Sequence, residues 1–256
     1  MHMRMTAWAL RASLLILLVA ASSSFAQDAR PTTTRLLVTV SRLKPEMVDR
    51  WIALQQSEVV PALKKAGVTE RVVYETLIGE ATEFVSVRPL PSFAELDEAD
   101  PFEQALGVAG AARLRAELRA CELSTHRHIE NRQDEFFLDP GDAEALFASR
   151  YRAMPGRAGD YMSFVRTEMF PVMRQAQEEG TFSGLSVTVS AQGGEAGIIT
   201  LNMHYPVFAE LDGPPPVAKT LGPEGTREFL AKGAGLITPI EQLVLRRVAA
   251  LSFRGW

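Results

Sequence analysis

The chain has one cysteine, Cys121, among its 256 residues, so no internal disulfide can hold it together and packing must do so. Neither sign of charge dominates. Its 27 Lys and Arg residues stand against 31 Asp and Glu and are scattered, without the basic stripe that binding a nucleic acid requires. No catalytic signature stands out. Leu-Gly-x-x-Gly occurs at 106–110 and again at 221–225, but without the lysine and spacing of a phosphate-binding loop, and it reads as turn chemistry. No apolar run reaches the ~20 residues needed to span a bilayer. The run at 13–21 falls well short of that length. It follows Arg4 and Arg11 and precedes Ser22-Ser23-Ser24-Phe25-Ala26, the three-part layout of a secretory signal peptide. Residues 1–26 are therefore expected to be removed, leaving a periplasmic or secreted protein with no stable membrane insertion. The distance of Cys121 from this segment argues against a lipoprotein.

What the chain does have is repetition. Residues 91–110 read PSFAELDEADPFEQALGVAG and residues 206–225 read PVFAELDGPPPVAKTLGPEG, so Phe-Ala-Glu-Leu-Asp, Leu-Gly and a further Gly recur 115 positions apart. A second block recurs at an offset of 110: Leu36, Arg42, Pro45, Glu58 and Pro61 fall on Leu146, Arg152, Pro155, Glu168 and Pro171. The mature chain thus divides into 27–138 and 143–256, joined at Asp139-Pro140-Gly141-Asp142.

Within the first unit, 35–43 has strand character up to Lys44-Pro45, and 46–66 carries apolar residues at three- and four-residue steps up to Gly67. Pro61 lies inside that helix and should bend or divide it. The runs 70–77 and 83–88 flank Ile78-Gly79-Glu80 and predict a hairpin. Ser92 and Glu95 have capping-box spacing, 111–120 continues as helix, and 122–137 returns as strand. The second unit follows the same order. Each is β-α-β-β-α-β, the ferredoxin-like arrangement, so the expected fold class is α+β. A four-stranded sheet with helices on one face leaves the other face uncovered, and the two sheets are expected to cover each other.

This doubled order resembles the dimeric α/β-barrel superfamily, and within it the antibiotic-biosynthesis-monooxygenase-like and NIPSNAP-like families. The residues carrying the resemblance are Ser57-Glu58-Val59-Val60-Pro61-Ala62-Leu63-Lys64-Lys65-Ala66-Gly67, Leu243-Val244-Leu245-Arg246-Arg247 and Leu251-Ser252-Phe253. The resemblance implies a barrel that single-unit members close by dimerising and that this chain closes alone, as a monomer or a further homodimer. It also implies a cofactor-independent monooxygenase-like activity as one option. Haem is another, although neither long helix carries a histidine to serve as axial ligand.

Three groups of residues are candidates for chemistry. His126, His128 and Glu130 alternate along one strand and share a side, which would suit a divalent metal; the competing reading is an exposed polar stretch. Asn202 and His204, with Thr200, form a polar row on a strand whose other face is apolar, and they need partners if buried. Glu58 and Glu168 each precede a helix proline by three residues, and their recurrence favours a structural role over that of a general base. Trp51 and Tyr161 occupy corresponding places as core or pocket-lining aromatics. Cys121 reads as a small buried hydrophobe. The expected function is binding of a small apolar or aromatic molecule in a pocket between sheet and helices. The alternatives are a monooxygenase-like enzyme and a metal-binding protein. The sequence requires no cofactor, and the expected partner is a small molecule.

Overall fold

The computed structural model describes residues 33–254; the segment read as a signal peptide lies outside the described residues. The chain runs through β1 (Thr33–Leu43), a helix made of α1 (Val48–Leu54) and α2 (Val60–Lys65), then β2 (Glu70–Ile78) and β3 (Glu83–Pro89). Helix α3 (Pro101–Cys121) leads to β4 (Glu122–Gln133). The order then recurs as β5 (Ala145–Ala153), α4 (Ala158–Phe164) with α5 (Phe170–Glu178), β6 (Gly184–Ser190), β7 (Ile198–Tyr205), α6 (Pro216–Gly233) and β8 (Ile237–Arg247). A short β9 (Phe253–Arg254) pairs with the start of β2.

Neither helix proline ends its helix. A π-turn, Gln55–Val59, joins α1 to α2, and its counterpart Val165–Met169 joins α4 to α5. The amide of Val60 reaches back to the Gln55 carbonyl, and that of Phe170 to the Val165 carbonyl, each immediately before the proline. One residue is thereby accommodated in a wider turn where the proline nitrogen has no hydrogen to give. In α3 and α6 the first glycine of Leu-Gly-x-x-Gly breaks the helix: Gly107 has φ 71° and Gly222 φ 67°, a region that side chains with a Cβ avoid. Helix α3 begins earlier than the sequence pattern indicates because Asp100 caps it, accepting from the Phe102 amide at 2.9 Å, with Pro101 at the first helical position.

All eight long strands join one antiparallel ring in the order β3-β1-β4-β6-β7-β5-β8-β2, and β2 pairs back onto β3 to close it. Two of the pairings, β4 with β6 and β8 with β2, connect the first half of the chain to the second. Closure leaves no free edge among the eight long strands. The four helices lie outside. Trp51, Leu54, Phe84, Leu114 and Leu118 fill the layer between α1–α3 and the barrel. Tyr161, Val165, Phe170, Met173 and Leu185 fill the corresponding layer under α4 and α5. A third, smaller cluster of Tyr74, Leu146, Ala148 and Leu245 lies on the inner face, and this inner face positions the site.

Candidate functional site in the barrel lumen

A cavity of about 600 Å³ occupies the lumen, lined by the inward-pointing, alternate residues of all eight long strands. An eight-stranded ring is wide enough to hold one small ligand when its inner side chains are short. The wall is divided. On the arc β5-β8-β2-β3-β1 it is mainly apolar: Leu146 and Ala148, Leu243 and Leu245, Val72, Val85 and Val87, then Leu36, Val38 and Val40. On the contiguous arc β4-β6-β7 it is polar. There β4 contributes His126, His128 and Glu130, β6 contributes Ser186, Thr188 and Ser190, and β7 contributes Thr200, Asn202 and His204.

Strand register explains the division. Val38 of β1 lies between Val87 and His128, whereas Ala148, its counterpart on β5, lies between Asn202 and Leu243. Likewise Leu36 lies between Pro89 and Glu130, and Leu146 between His204 and Leu245. At matching positions the two halves therefore present opposite chemistry.

Glu130 is the best-anchored polar group. It is largely buried, yet hydrogen bonds hold it ionised: the Thr188 hydroxyl donates at 2.6 Å and His128 Nε2 lies 3.2 Å away. Burial pushes the Glu130 carboxyl up, and the His128 and Thr188 contacts outweigh this and leave it below the usual range. Nδ1 of His128 is enclosed and has no partner. His126 stacks on His128 with ring centroids 5.4 Å apart and is itself exposed. The three residues share a wall, as their alternation implies, but among the described residues no His, Cys, Asp or Glu cluster could hold a metal ion. His128 Nε2 is directed at Glu130, so in this structure the strip is joined by a hydrogen bond along β4.

Toward the other end of the polar wall, His204 is buried at 6% exposure, with its ring centroid 6.3 Å from that of Tyr74 across the lumen. Neither side chain makes a hydrogen bond to the described residues, and both line the cavity. Burial, assisted by Arg254 and opposed by Asp139, pushes the His204 imidazole down to about 4. Burial pushes the Tyr74 hydroxyl up to about 12, with Arg247 and Arg254 opposing. Charged residues guard the two ends. At one end Glu83 is raised by burial and by the facing Glu241, which in turn accepts from Arg150 at 2.9 Å. At the other, Arg254 bridges Asp139 at 3.0 Å and Glu70 at 3.3 Å.

The remaining predicted site residues lie elsewhere. Trp51 sits under the helices with its Nε1 donating to Glu122 at 3.3 Å, and Tyr161 is buried in the layer beneath α4 and α5. Glu58 pairs with Arg113, whose hydrogen bonds hold its carboxyl below the usual range, and Glu168 accepts from Lys232 at 2.7 Å. Both pairs tie one outer helix to the next. The cavity expected between sheet and helices is thus replaced by side chains there, and the space lies inside the ring. The same filling bears on haem: the helix-to-sheet layers hold Trp51, Phe84, Tyr161 and Phe136 at 2% exposure or less, and no described helix carries a histidine. The residues present do not fit a haem in either layer. Sequence reasoning missed Tyr74, Thr188 and the aliphatic wall. Their alternation is visible in the sequence, but which face of a closed ring encloses space is not.

No family model matches the chain, and no curated protein matches it. Solved structures do. A "putative monooxygenase" from Lactobacillus acidophilus superposes with a TM-score of 0.59 at 8% identity, over 87% of this chain and 97% of that one. One from Fusobacterium nucleatum gives 0.57 at 8% identity, over 88% and 99%. A "putative chlorite dismutase" gives 0.51 at 15% identity, over 86% and 96%. At such identities the likeness is one of fold: this chain shares with those structures an antiparallel barrel carrying helices on its outside, here closed within a single polypeptide.

Proposed function

We propose that the protein holds one small amphipathic molecule in the barrel lumen, with a flat apolar face on the aliphatic arc and polar substituents on the β4-β6-β7 arc. The observation that carries this reading is the two-sided wall of a lumen cavity of about 600 Å³, within the size range of small-molecule sites. Unpartnered polar groups facing such a space are satisfied by water or a ligand. The enzymatic alternative is a cofactor-independent oxygenase-like activity on an aromatic compound. It draws support from the names of the solved structures of like fold, which include an "anthrone oxidase-like protein" at a TM-score of 0.53 and 10% identity, over 84% of this chain and 91% of that one.

The reading extends to the whole chain. Strand order β4-β1-β3-β2 in the first half and β8-β5-β7-β6 in the second supports two tandem ferredoxin-like units. The layout of residues 1–26 supports export. The protein should be recovered in a periplasmic fraction, where mass spectrometry should read Gln27 as the first residue; recovery only in the cytoplasm overturns export, and retention of Met1 in the periplasm overturns cleavage.

The binding test uses Ala148, a small wall residue at 5% exposure. Ala148→Phe places a phenyl ring in the lumen. It is expected to abolish binding of anilinonaphthalene sulfonate, read by fluorescence, while the near-UV dichroism stays native. Undiminished dye binding in a folded variant refutes the lumen as the binding site.

A further inference from the structure

His204 and Tyr74 are buried polar groups of the lumen toward its Arg254–Asp139 end, and they face each other across it with ring centroids 6.3 Å apart. Strand pairing fixes both backbones. His204 sits between Leu146 of β5 and Gly184 of β6, and Tyr74 between Val85 of β3 and Arg247 of β8. Their polar atoms find no protein partner, although buried imidazole and phenol groups ordinarily have one. Aliphatic residues complete the pocket around them, Leu146 and Leu245 packing in the same cluster as Tyr74.

We propose that His204 and Tyr74 form a general base and general acid pair acting on a carbonyl compound with an acidic C–H beside the carbonyl, bound in the lumen. This rests on the lumen being the binding site. The base must be an uncharged imidazole and the acid a protonated phenol, and the surroundings favour both forms. The charged groups facing the pair are Arg254 and Asp139 beside His204, and Arg247, Arg254 and Glu70 beside Tyr74. In the step, the proton leaves carbon for the His204 imidazole, and the C–H electron pair becomes the C=C bond of an enolate. The carbonyl oxygen, now negative, takes a hydrogen bond from the Tyr74 hydroxyl. Return of the proton to the opposite face of the same carbon or, where a C=C stands one carbon further on, to the far end of the dienolate completes an isomerisation, so no oxidant or metal is consumed. The β4 strip of His128 and Glu130 lies on the neighbouring part of the polar wall, where it can orient the ligand's other substituents.

Nitrobenzisoxazole tests this without knowledge of the natural ligand. Removal of its ring proton by a base breaks the N–O bond and releases a coloured nitrile phenolate, whose oxygen a nearby acid assists. The full chain is expected to open the probe faster than an equal concentration of free imidazole. His204→Gln should lower the rate roughly 100-fold, the scale of one general base, and Tyr74→Phe about tenfold. Glu58→Gln, on the outer helices, should leave it unchanged. Near-UV dichroism and equilibrium dialysis of the probe are measured on each variant. A rate no greater than that of imidazole overturns the pair, as does one that survives in folded His204→Gln. If the probe binds and is not opened, the acid–base pair falls and the lumen site stands. If it neither binds nor opens, both fall.

Discussion

Replacing His204 with Gln should make the protein less sensitive to acid, and the size of the effect follows from where the imidazole sits. His204 is held neutral down to about pH 4 by burial, with Arg254 assisting and Asp139 opposing, whereas in the unfolded chain it titrates near the ordinary histidine value of 6.5. Between those values the unfolded state binds a proton that the folded state refuses, so stability falls as pH falls. The gap is about 2.5 pH units at ~1.4 kcal/mol each, so the wild type should lose about 3 kcal/mol from this group between pH 7 and pH 4. Below pH 4 the loss saturates. Other groups titrate in the same window: Glu130, held low mainly against burial by His128 and Thr188, destabilises on protonation, and Glu83, raised by burial and Glu241, does the reverse. Both are common to the two proteins and cancel in the comparison. Urea unfolding at pH 7 and at pH 4 gives the difference directly. His204→Gln starts from its own stability at pH 7, and its deficit or advantage relative to the wild type should shift by about 3 kcal/mol in its favour at pH 4. If the two proteins lose stability in parallel, His204 is not an enforced neutral imidazole, and its place as a lumen base goes with that.

Other substitutions separate packing from backbone strain and from surface charge. A Cβ at Gly184 would lie 2.4 Å from the Leu138 carbonyl and 2.7 Å from Pro140, both backbone, so Gly184→Ala should cost about 1–3 kcal/mol in chemical denaturation. Gly107 and Gly222 have open space around them but positive φ, so each Ala substitution should cost about 1–2 kcal/mol, and the two should add because they lie in different halves. Glu58→Gln and Glu168→Gln remove partly exposed ion pairs and should change stability by less than about 1 kcal/mol, with dye binding unaffected. Cleavage at 139–142 should give halves that are insoluble or that reassociate, because β4–β6 and β8–β2 pairing crosses between them; two stable monomeric halves on size exclusion would count against a shared barrel.

The fold was more legible in the sequence than the site was, and for a physical reason. Alternation and three- and four-residue periodicity report which residues share a face, and these placed the strands and long helices correctly in both halves. The recurrence of Pro61 at Pro171 marked a helix irregularity, though not that a π-turn would absorb it without stopping the helix. Periodicity does not report what a face meets. Trp51 and Tyr161, read as core or pocket-lining aromatics, point into helix layers filled by large side chains, while Val38, Val85 and Leu243, not singled out in the sequence as pocket residues, line the lumen. Only ring closure, a property of pairings between residues far apart in the chain, β4 with β6 and β8 with β2, decides between these.

The broken symmetry explains why a site exists in that space at all. On the proposed duplication, Val85, Val87 and Pro89 correspond to Thr200, Asn202 and His204 at the 115-residue offset, and the pairing register confirms that each set faces the lumen beside its own half's first strand. His128 and Glu130 correspond in the same register to Leu243 and Leu245. Two identical apolar units would enclose a lumen with no feature to orient a ligand, and two identical polar ones would leave buried groups unpaired on every side. Exchange at these five positions concentrates the polar residues on β4 and β7, with β6 between them, and leaves the middle of the opposing arc aliphatic beside Tyr74, with charged residues only toward its ends. His204 therefore meets across the lumen a phenol from the apolar wall rather than a second imidazole, which is the condition for a base and an acid to coexist in one cavity.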